Sequence, residues 1–495
     1  MYTIGYDIGS SSVKIALVEE KSGKKIDVIQ EPKDEMGMIS IKSSWAEQDP
    51  DMWWKLVCVG TKNIIKKNNI SSKEIIGIGI SYQMHGLVLV DSEGKSLRNS
   101  IIWCDSRAVP IGQKAFEELG EDRCMSHLLN SPANFTASKL KWVIDNEPEI
   151  YEKIQNYMLP GDYIALKFSG EINSTINGLS EGILWDYKNL SPADWLMDYY
   201  GIDKSLTPNI CENFKIQGKV CRKGSLESGL QIGTPILYRA GDQPNNALSL
   251  NVFHPGEIAA TGGTSGVVYA LTSNNKSSEP QRINHFAHVN YSYENQILGK
   301  LLCINGAGIL FRWLRNNTGA NDYRTMNELA EKIAIGANTL CVLPFGNGAE
   351  RMLDNKSVGS KIVNLDFNIH NDAAIYRAAL EGIAFAFVYG INILEKDGCE
   401  VGVIRAGNDN LFRSKIFSNT ISTLINQKIE IYDTTGAVGA ARAALINDND
   451  FGAFKDFLSK NDLVGNFEPK TYKTDYIEAF NNWKIELEKN LTQTT

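Results

Sequence analysis

Apolar and polar residues alternate along residues 3–20, on both sides of a Gly-Ser-Ser-Ser turn. This period of two predicts a hairpin of two β-strands at the start of the chain. Apolar residues at helical spacing follow in residues 49–68, and alternation returns in residues 74–83, 86–91 and 100–105. Strands that alternate with helices predict an α/β fold, in which ligands bind at the carboxyl ends of the strands.

The second half of the chain repeats this alternation. Residues 371–398 carry the longest apolar helical pattern, which ends near Gly398. Strand, helix and strand patterns and a final helix of small residues follow at residues 401–407, 411–427, 428–433 and 435–446. In the final helix, Gly436 and Gly439 indicate close packing against a neighbouring element.

A second hairpin pattern, in residues 256–273, resembles the first one. At a constant offset of 254 positions, six residues of the two hairpins are identical, and this offset is about half of the 495-residue chain. We therefore predict two duplicated α/β domains, residues 1–247 and residues 248–485, with a cleft between them. Domain boundaries are common places for small-molecule sites.

Composition narrows the classes of function. The chain has 43% hydrophobic and 22% charged residues, which is ordinary for a soluble globular protein. A net charge of −8 argues against general nucleic-acid binding, but backbone amides can still hold a small anion. The eight cysteines form no C-x-x-C pair, and we expect neither a signal peptide nor a membrane span. These features predict a reduced, cytoplasmic enzyme with no nucleic-acid or membrane partner.

Asp242 lies in residues 238–250, where a strand pattern changes to a helix pattern. Aspartate is a preferred helix N-cap and proline is tolerated in the first turn, so a cap is the simpler interpretation. The position near the predicted domain boundary favours a catalytic carboxylate instead. The two interpretations do not exclude each other.

Two turns rich in glycine and hydroxyl groups have the chemistry of phosphate sites. In residues 7–14, N–H groups and hydroxyls can bind phosphate, Asp7 can hold Mg²⁺ directly or through water, and Lys14 can reach a phosphate oxygen. An ordinary polar hairpin is the alternative for this segment. Residues 261–266 form a second such turn, with Thr261 in the place of the aspartate.

Two strand ends carry side chains that could bind a polyol. Met84 and His85 end one strand, although a lone histidine is more often structural than functional. Asp105 and Arg107 follow another strand and suit sugar hydroxyls, with a salt bridge between them as an equal alternative.

The loop of residues 405–414 follows a strand and opens a helix. Ala406 and Gly407 would let a flat base approach the backbone, and Asn408 or Asn410 could hydrogen-bond that base. A plain connection between strand and helix is the alternative.

Together these motifs resemble the FGGY family of carbohydrate kinases, in the actin, hexokinase and Hsp70 superfamily. The resemblance runs to about residue 445 and follows the family's order through "DIGSSSVK", "SYQMHGLVLVD", "FTASKLKWVIDNE", "GDQPNNA", "TGGTSG", "RAALEGIAFAF", "RAGNDNLFRS" and "GAVGAARAAL". It implies two ribonuclease-H-like domains and phosphoryl transfer from ATP to a sugar, with Mg²⁺ as the metal ion.

The resemblance also implies roles for the residues at matching positions. Asp242 is expected to be the general base, and Asp7 the carboxylate that holds Mg²⁺. The expected sugar-binding residues are Met84, His85, Asp105, Asp242 and Gln243. The expected ATP-binding residues are Gly9, Ser10, Ser11, Ser12, Lys14, Gly262, Gly263, Thr264, Ser265, Ala406, Gly407 and Asn410.

The Gln-Met-His-Gly loop, residues 83–86, indicates D-xylulose among the sugars of the family. The expected reaction moves the γ-phosphoryl group of ATP to the 5-hydroxyl of this sugar. One alternative is another kinase of the family that acts on a ribulose, a gluconate or a polyol. Two further alternatives are an actin-like ATPase that acts without sugar and a sugar-binding regulator without activity. The presence of Asp242 argues against the ATPase, and the presence of both Asp7 and Asp242 argues against the regulator. The resemblance suggests a homodimer.

Overall fold

The computed structural model describes residues 1–446 and 450–493. The chain forms two compact units, each of which is described below by itself. Unit 1 consists of Met1–Asn251, Phe286–Leu298 and Thr434–Asp462, and unit 2 of Val252–His285, Gly299–Asp433 and Leu463–Thr495. The units are not contiguous in sequence, because two later segments belong to unit 1. The division at residue 247 stays a prediction.

A six-stranded sheet is the centre of unit 1. Its strands are β1 (Tyr2–Ile8), β2 (Val13–Glu19), β3 (Lys25–Glu31), β4 (Ile75–Tyr82), β5 (Gly218–Lys219) and β6 (Pro235–Gly241). They lie in the order β5-β6-β4-β1-β2-β3. The pairs β1/β2 and β2/β3 are antiparallel, and the pairs β1/β4 and β4/β6 are parallel. The predicted hairpin of β1 and β2 is confirmed.

Helices and short strand pairs surround this sheet. The helices of unit 1 are Pro50–Lys67, Val109–Leu119, Glu121–His127, Thr136–Asn146, Pro148–Tyr151, Pro160–Ser169, Ile176–Glu181, Asp194–Tyr200, Arg222–Ser228, Asp242–Ser249, Gly436–Ala443 and Phe451–Asp462. The short pairs join Glu47–Gln48 to Ser100–Ile101, Val88–Val90 to Asn156–Met158, Asn173–Thr175 to Asn209–Cys211, and Trp185–Asp186 to Ser191–Pro192.

The helix Gly436–Ala443, here called the closing helix, packs directly on the sheet of unit 1. A Cβ atom on Gly5 of β1 or on Gly79 of β4 would clash with helix backbone at Ala437 or Ala440. Small residues on both sides therefore permit this close approach. The predicted close packing of the closing helix is confirmed.

A seven-stranded sheet is the centre of unit 2. Its strands are β7 (Ile258–Gly262), β8 (Gly266–Thr272), β9 (Asn284–Ala287), β10 (Leu298–Ile304), β11 (Ile404–Gly407), β12 (Ile429–Tyr432) and β13 (Leu463–Phe467), in the order β9-β10-β8-β7-β11-β12-β13. The strands β7 and β8 pair antiparallel, and β11 lies parallel to both β7 and β12. This pattern repeats that of β2, β1, β4 and β6, as a duplication requires.

The core of unit 2 is built around one long helix. The helices of this unit are Gly308–Asn317, Tyr323–Ala330, Asp372–Lys396, Lys415–Ile425 and Thr474–Gln493, and a further strand pair joins Cys341–Phe345 to Gly359–Val363. Among the described residues, only Asp372–Lys396 is long and apolar enough to cross a membrane, but 83% of its apolar window is buried inside the protein. We therefore assign it to the core.

Two local predictions differ from the structure. The helix predicted over residues 411–427 is divided, because Ser414 has an extended backbone (φ −74°, ψ 121°) and caps a helix that begins only at Lys415. The Ser414 hydroxyl accepts a hydrogen bond from the backbone N–H of Phe417, which explains why the helix starts there. The strand predicted over residues 401–407 begins only at Ile404.

Candidate active site

Asp242 is the first residue of a helix that follows β6 directly. The helix spans Asp242–Ser249, and its N-cap position is occupied by Gly241. The interpretation of Asp242 as the N-cap is therefore wrong. Its carboxyl group lies at the amino end of the helix, where the helix dipole favours negative charge. Gln243 follows it in the same turn and is half-buried.

Gly241 lets two side chains come close to the backbone just before Asp242. A Cβ atom on this residue would lie 2.5 Å from Met84 Cγ and would overlap Glu181 Oε2. No residue other than glycine fits this position without displacing one of these side chains. The turn that carries Asp242 is thus held between Met84 and Glu181.

Asp242 has the electrostatics of a proton acceptor. Burial and, to a smaller extent, the negative charge of Asp7 raise its pKa to about 7. A general base is most effective when its pKa lies near the working pH. Asp242 can therefore accept a proton near neutral pH.

Asp7 lies near the end of β1, beside Ser81, Lys14 and Gly436. The hydroxyl of Ser81 on β4 donates a hydrogen bond of 3.0 Å to Asp7 Oδ1. Lys14 is its cross-strand partner on β2, and a Cβ on Gly436 would lie only 2.6 Å from Asp7 Oδ2. Burial raises the pKa of Asp7, whereas Ser81 and Lys14 lower it. The described residues hold no cluster of three or more metal-ligating side chains.

The first phosphate turn is a tight loop between β1 and β2. The N–H of Gly9 donates to the carbonyl of Ser12 over 3.0 Å, and Gln48 Nε2 donates to the carbonyl of Ser10 over 2.6 Å. Ser11 is exposed, and Ser12 is buried. The carbonyls of the turn are thus bound from within the protein, which fixes the backbone of the predicted phosphate loop.

His85 has a strained backbone that the surrounding structure holds in place. Its φ angle is +61°, in the left-handed region that a residue with a side chain rarely adopts. Its Nδ1 lies 2.8 Å from the carbonyl oxygen of Glu181, and its ring packs against Phe135 and Phe286. Because a carbonyl only accepts, Nδ1 carries a proton, and in the neutral ring Nε2 is an acceptor. Such a nitrogen can accept a hydrogen bond from a sugar hydroxyl.

Lys139 supports the same loop, and sequence reasoning gave it no role. Its side chain is fully buried (0% exposed) in the helix Thr136–Asn146, and its ammonium donates to the carbonyls of His85 (2.7 Å) and Ile102 (3.0 Å). Burial lowers its pKa to about 7. The sequence signal for Lys139 was a charged residue within an apolar helical pattern. Its partners, His85 and Ile102, lie far away in the sequence.

Asp105 forms the salt bridge that was the alternative to a sugar contact. It is completely buried, bonded to Arg107 Nη2 at 2.7 Å, and it accepts the N–H of Ala46 at 2.6 Å. Arg107 in turn pairs with Glu47 and lies over the ring of Trp45. The structure favours this internal network over a direct sugar contact for Asp105.

Unit 2 contains a cavity of about 810 Å³ beside the second glycine-rich turn. Four of the expected ATP-binding residues line it: Gly262, Gly263, Thr264 and Asn410. The helix Gly308–Asn317 begins there, and the N–H groups of Gly308 and Ile309 donate to the carbonyls of Gly263 and Thr264. The second turn is therefore fixed by the start of a helix.

The three other expected ATP-binding residues of unit 2 do not line this cavity. Ser265, Ala406 and Gly407 are absent from its wall, and the Ala406 side chain is completely buried in the sheet. Ala406 and Gly407 can contribute only backbone groups there, whereas the residue Ser265 is half-buried. Their roles as ATP contacts stay predictions.

The cavity wall includes residues that sequence reasoning missed. They are Gly308, Phe311, Arg312, Tyr323, Arg324, Asn327, Glu328, Glu331, Leu380, Leu411, Arg413, Ser414 and Lys415. The rings of Phe311 and Tyr323 stack at 5.7 Å, and Arg315 lies over the second ring. Aromatic and cationic groups together suit a nucleotide, whose base is flat and whose phosphates are anionic. Leu380, Leu411, Arg413 and Ser414 lie within the quoted motifs "RAALEGIAFAF" and "RAGNDNLFRS", whereas the others lie outside every quoted motif, so no local pattern connected the whole set.

Comparisons with protein families identify the class of this fold and site. The model of the FGGY family of carbohydrate kinases, N-terminal domain, matches residues 2–249, and the C-terminal domain model matches residues 258–447. The chain therefore belongs to the FGGY family of carbohydrate kinases. The predicted class of enzyme and the predicted α/β fold with two domains are confirmed.

Individual relatives agree with this membership. The xylulose kinase of Bacillus subtilis (strain 168) is 26% identical over 468 residues, which cover 92% of this chain and 90% of the relative. The solved structure of a xylulose kinase from Rhodospirillum rubrum has a TM-score of 0.88 and 22% identity, with 99% of both chains covered. Plasmodium falciparum glycerol kinase with ADP has a TM-score of 0.88 and 21% identity, with 99% and 98% covered. The solved structures share the fold.

Proposed function

We propose that this carbohydrate kinase transfers the γ-phosphoryl group of ATP to the 5-hydroxyl of D-xylulose, which gives D-xylulose 5-phosphate and ADP. The observation that carries the proposal is the carboxyl group of Asp242, which begins the helix that follows β6 and has a pKa raised to about 7. Met84 and Glu181 hold the turn that presents it.

In this proposal Asp242 accepts the proton of the sugar hydroxyl. The oxygen of that hydroxyl forms the new bond to the γ-phosphorus, and the bond from phosphorus to the bridging oxygen of ADP breaks. General-base assistance of this kind typically contributes ~10²–10⁴-fold. The remaining acceleration in this class of reaction comes from positioning and from neutralising phosphate charge.

The donor groups near β1 fit a magnesium ion. Mg²⁺ is commonly bound by one or two carboxylates together with water and substrate phosphates. Asp7 offers one such carboxylate, held by Ser81 and near Lys14. Asp7 would hold the ion, which when bound would neutralise phosphate charge. Gly9, Ser10, Ser11, Ser12 and Lys14 are proposed as phosphate contacts.

Unit 2 is the proposed nucleotide-binding unit. Its cavity has glycine-rich backbone at Gly262 and Gly263 and cations at Arg413 and Lys415. A polar, cationic cavity of this size can hold a nucleotide. Thr264, Ser265, Ala406, Gly407 and Asn410 remain proposed ATP-binding positions.

The sugar is the finer part of the proposal. The curated relative from Bacillus subtilis bears the name xylulose kinase, and the loop of residues 83–86 supports the same sugar. A ribulose, a gluconate or a polyol is the second candidate, because a glycerol kinase shares the fold equally well. A cytoplasmic location and a homodimer stay predictions.

A substrate panel tests this proposal. ADP release is measured with Mg-ATP and D-xylulose, D-ribulose, L-ribulose, L-xylulose, gluconate, glycerol or no sugar. We expect turnover with D-xylulose at a kcat/KM at least tenfold above that of every other compound. A larger kcat/KM for another sugar would move the specificity to that sugar, and turnover without any sugar would contradict the kinase mechanism.

A further inference from the structure

Glu181 is a buried carboxyl group that the reaction described above does not use. It is the last residue of the helix Ile176–Glu181 and is only 2% exposed. Neither of its carboxyl oxygens has a hydrogen-bond partner of normal geometry. A buried carboxylate without such partners is costly, whereas the protonated acid is not.

The Glu181 carboxyl group touches the turn that carries Asp242. Its Oε2 occupies the space beside Gly241 that a Cβ atom would need, and Met84 Cγ borders the same space. The next residue in the chain is Asp242, the proposed base. Glu181 thus packs behind both a proposed sugar contact and the proposed base.

The backbone of Glu181 also contacts His85, in the loop of residues 83–86. Its carbonyl oxygen lies 2.8 Å from Nδ1 of His85, whose backbone is strained at a φ of +61°. One residue therefore bonds to the ring of His85 and packs against the turn of Asp242. Any shift of Glu181 would move both groups together.

The charged and titratable groups near Glu181 shift its pKa in opposite directions. Burial raises its pKa well above the usual value, and the charges of Asp242 and Asp162 raise it further. The Tyr82 hydroxyl and the ammonium of Lys139 act in the opposite direction. Arg239 lies 3.3 Å from Asp162 and pairs with that carboxylate. The groups that favour the neutral acid dominate.

We propose that Glu181 is a positioning residue of the sugar site, whose protonated carboxyl group supports the Gly241–Asp242 turn while its carbonyl fixes His85. This inference rests on the proposed function of Asp242 and His85. A neutral Glu181 also leaves Asp242 free to gain and lose the proton of the reaction, because it adds no third negative charge to Asp7 and Asp242.

Two substitutions separate the proton from the shape of the side chain. Glu181→Gln keeps the length and mimics the protonated acid, so we expect kcat/KM within about threefold of the wild type. Glu181→Ala leaves a gap behind Gly241, and a displacement of about 1 Å at a reacting group can cost ~10²-fold. We therefore expect Glu181→Ala to lower kcat by ~10²-fold, with a smaller change in KM. Loss of activity in Glu181→Gln, or full activity in Glu181→Ala, would overturn the inference.

The pH dependence of unfolding provides a test that needs no turnover. A carboxyl group whose pKa is higher in the folded protein than in the unfolded chain opposes folding increasingly as the pH rises above about 4.5, its ordinary value. Glutamine has no proton to lose. The melting temperature of Glu181→Gln minus that of the wild type should therefore increase with pH. Glu117→Gln, which alters an exposed residue of the helix Val109–Leu119, is the matched control.

The sign of this pH dependence of the melting-temperature difference tests the inference even if D-xylulose is not the substrate. A difference that decreases with pH would show an ionised Glu181 stabilised by Lys139, and a flat difference would show an ordinary carboxylate. Either result overturns the proposal. A wild type that phosphorylates none of the sugars would refute the proposed function instead, and the unfolding trend would still distinguish a protonated Glu181 from an ionised one.

Discussion

The buried ammonium of Lys139 should make the stability of unit 1 depend on pH in a specific way. Lys139→Met removes the charge while keeping much of the length of the side chain. The wild-type ammonium donates hydrogen bonds to the carbonyls of His85 and Ile102, and burial lowers its pKa from 10.5 to about 7. The perturbation therefore removes one buried titrating group together with two hydrogen bonds.

The magnitude follows from the two pKa values. Between pH 7 and pH 10.5 the unfolded chain binds the proton and the folded protein does not, so the contribution of this lysine to stability rises with pH. The slope is ~1.4 kcal/mol per pH unit, or ~5 kcal/mol over the whole window as an upper limit. Loss of the two hydrogen bonds also lowers the stability of the variant, by an amount that is nearly independent of pH.

Thermal unfolding from pH 6 to pH 9.5 measures this effect. Each kcal/mol corresponds to ~2 °C in a unit of this size. The melting temperature of the wild type minus that of Lys139→Met should therefore rise by ~6 °C between pH 7 and pH 9. Lys141→Met, two residues along the same helix and paired at the surface with Asp145, is the matched control. A difference that stays flat or falls with pH would refute the account of Lys139.

Three further predictions concern packing, pH and the nucleotide. Gly79→Ala should destabilise the protein by about 1–3 kcal/mol in thermal unfolding, because the methyl group would collide with the carbonyl of Ala440; a neutral substitution would contradict the close packing. The kcat/KM for the sugar should fall about tenfold per pH unit below pH 7, as Asp242 is protonated, whereas a profile that stays level to pH 5 would exclude it as the base. Arg413→Ala should weaken ADP binding by about tenfold in calorimetry; unchanged affinity would place the phosphates away from Arg413.

The repeated architecture was predictable because its signals are local. The alternation in residues 3–20 and 256–273 gives the hairpins that the structure contains, and the long apolar pattern gives the helix Asp372–Lys396. The break at Ser414 was missed because both sides of it are apolar at helical spacing, so only the serine cap distinguishes them.

The supporting residues of the site could not be predicted in the same way. Lys139 and Glu181 act through partners that are distant in sequence, namely His85 and Gly241. For Asp105 the salt bridge with Arg107 was visible as a local pair, but only its complete burial favours the pair over a sugar contact. Local patterns thus indicate the proposed reacting groups, and tertiary packing shows which residues hold them.

The most direct test of the central claim compares Asp242→Asn with the wild type. Single-turnover phosphorylation of D-xylulose is measured while calorimetry confirms that the variant still binds ADP, with Asp203→Asn at an exposed turn as the control. A loss of ~10²–10⁴-fold in the rate, with nucleotide binding retained, is the result expected for a general base. A rate within about threefold of the wild type would show that Asp242 is not the base.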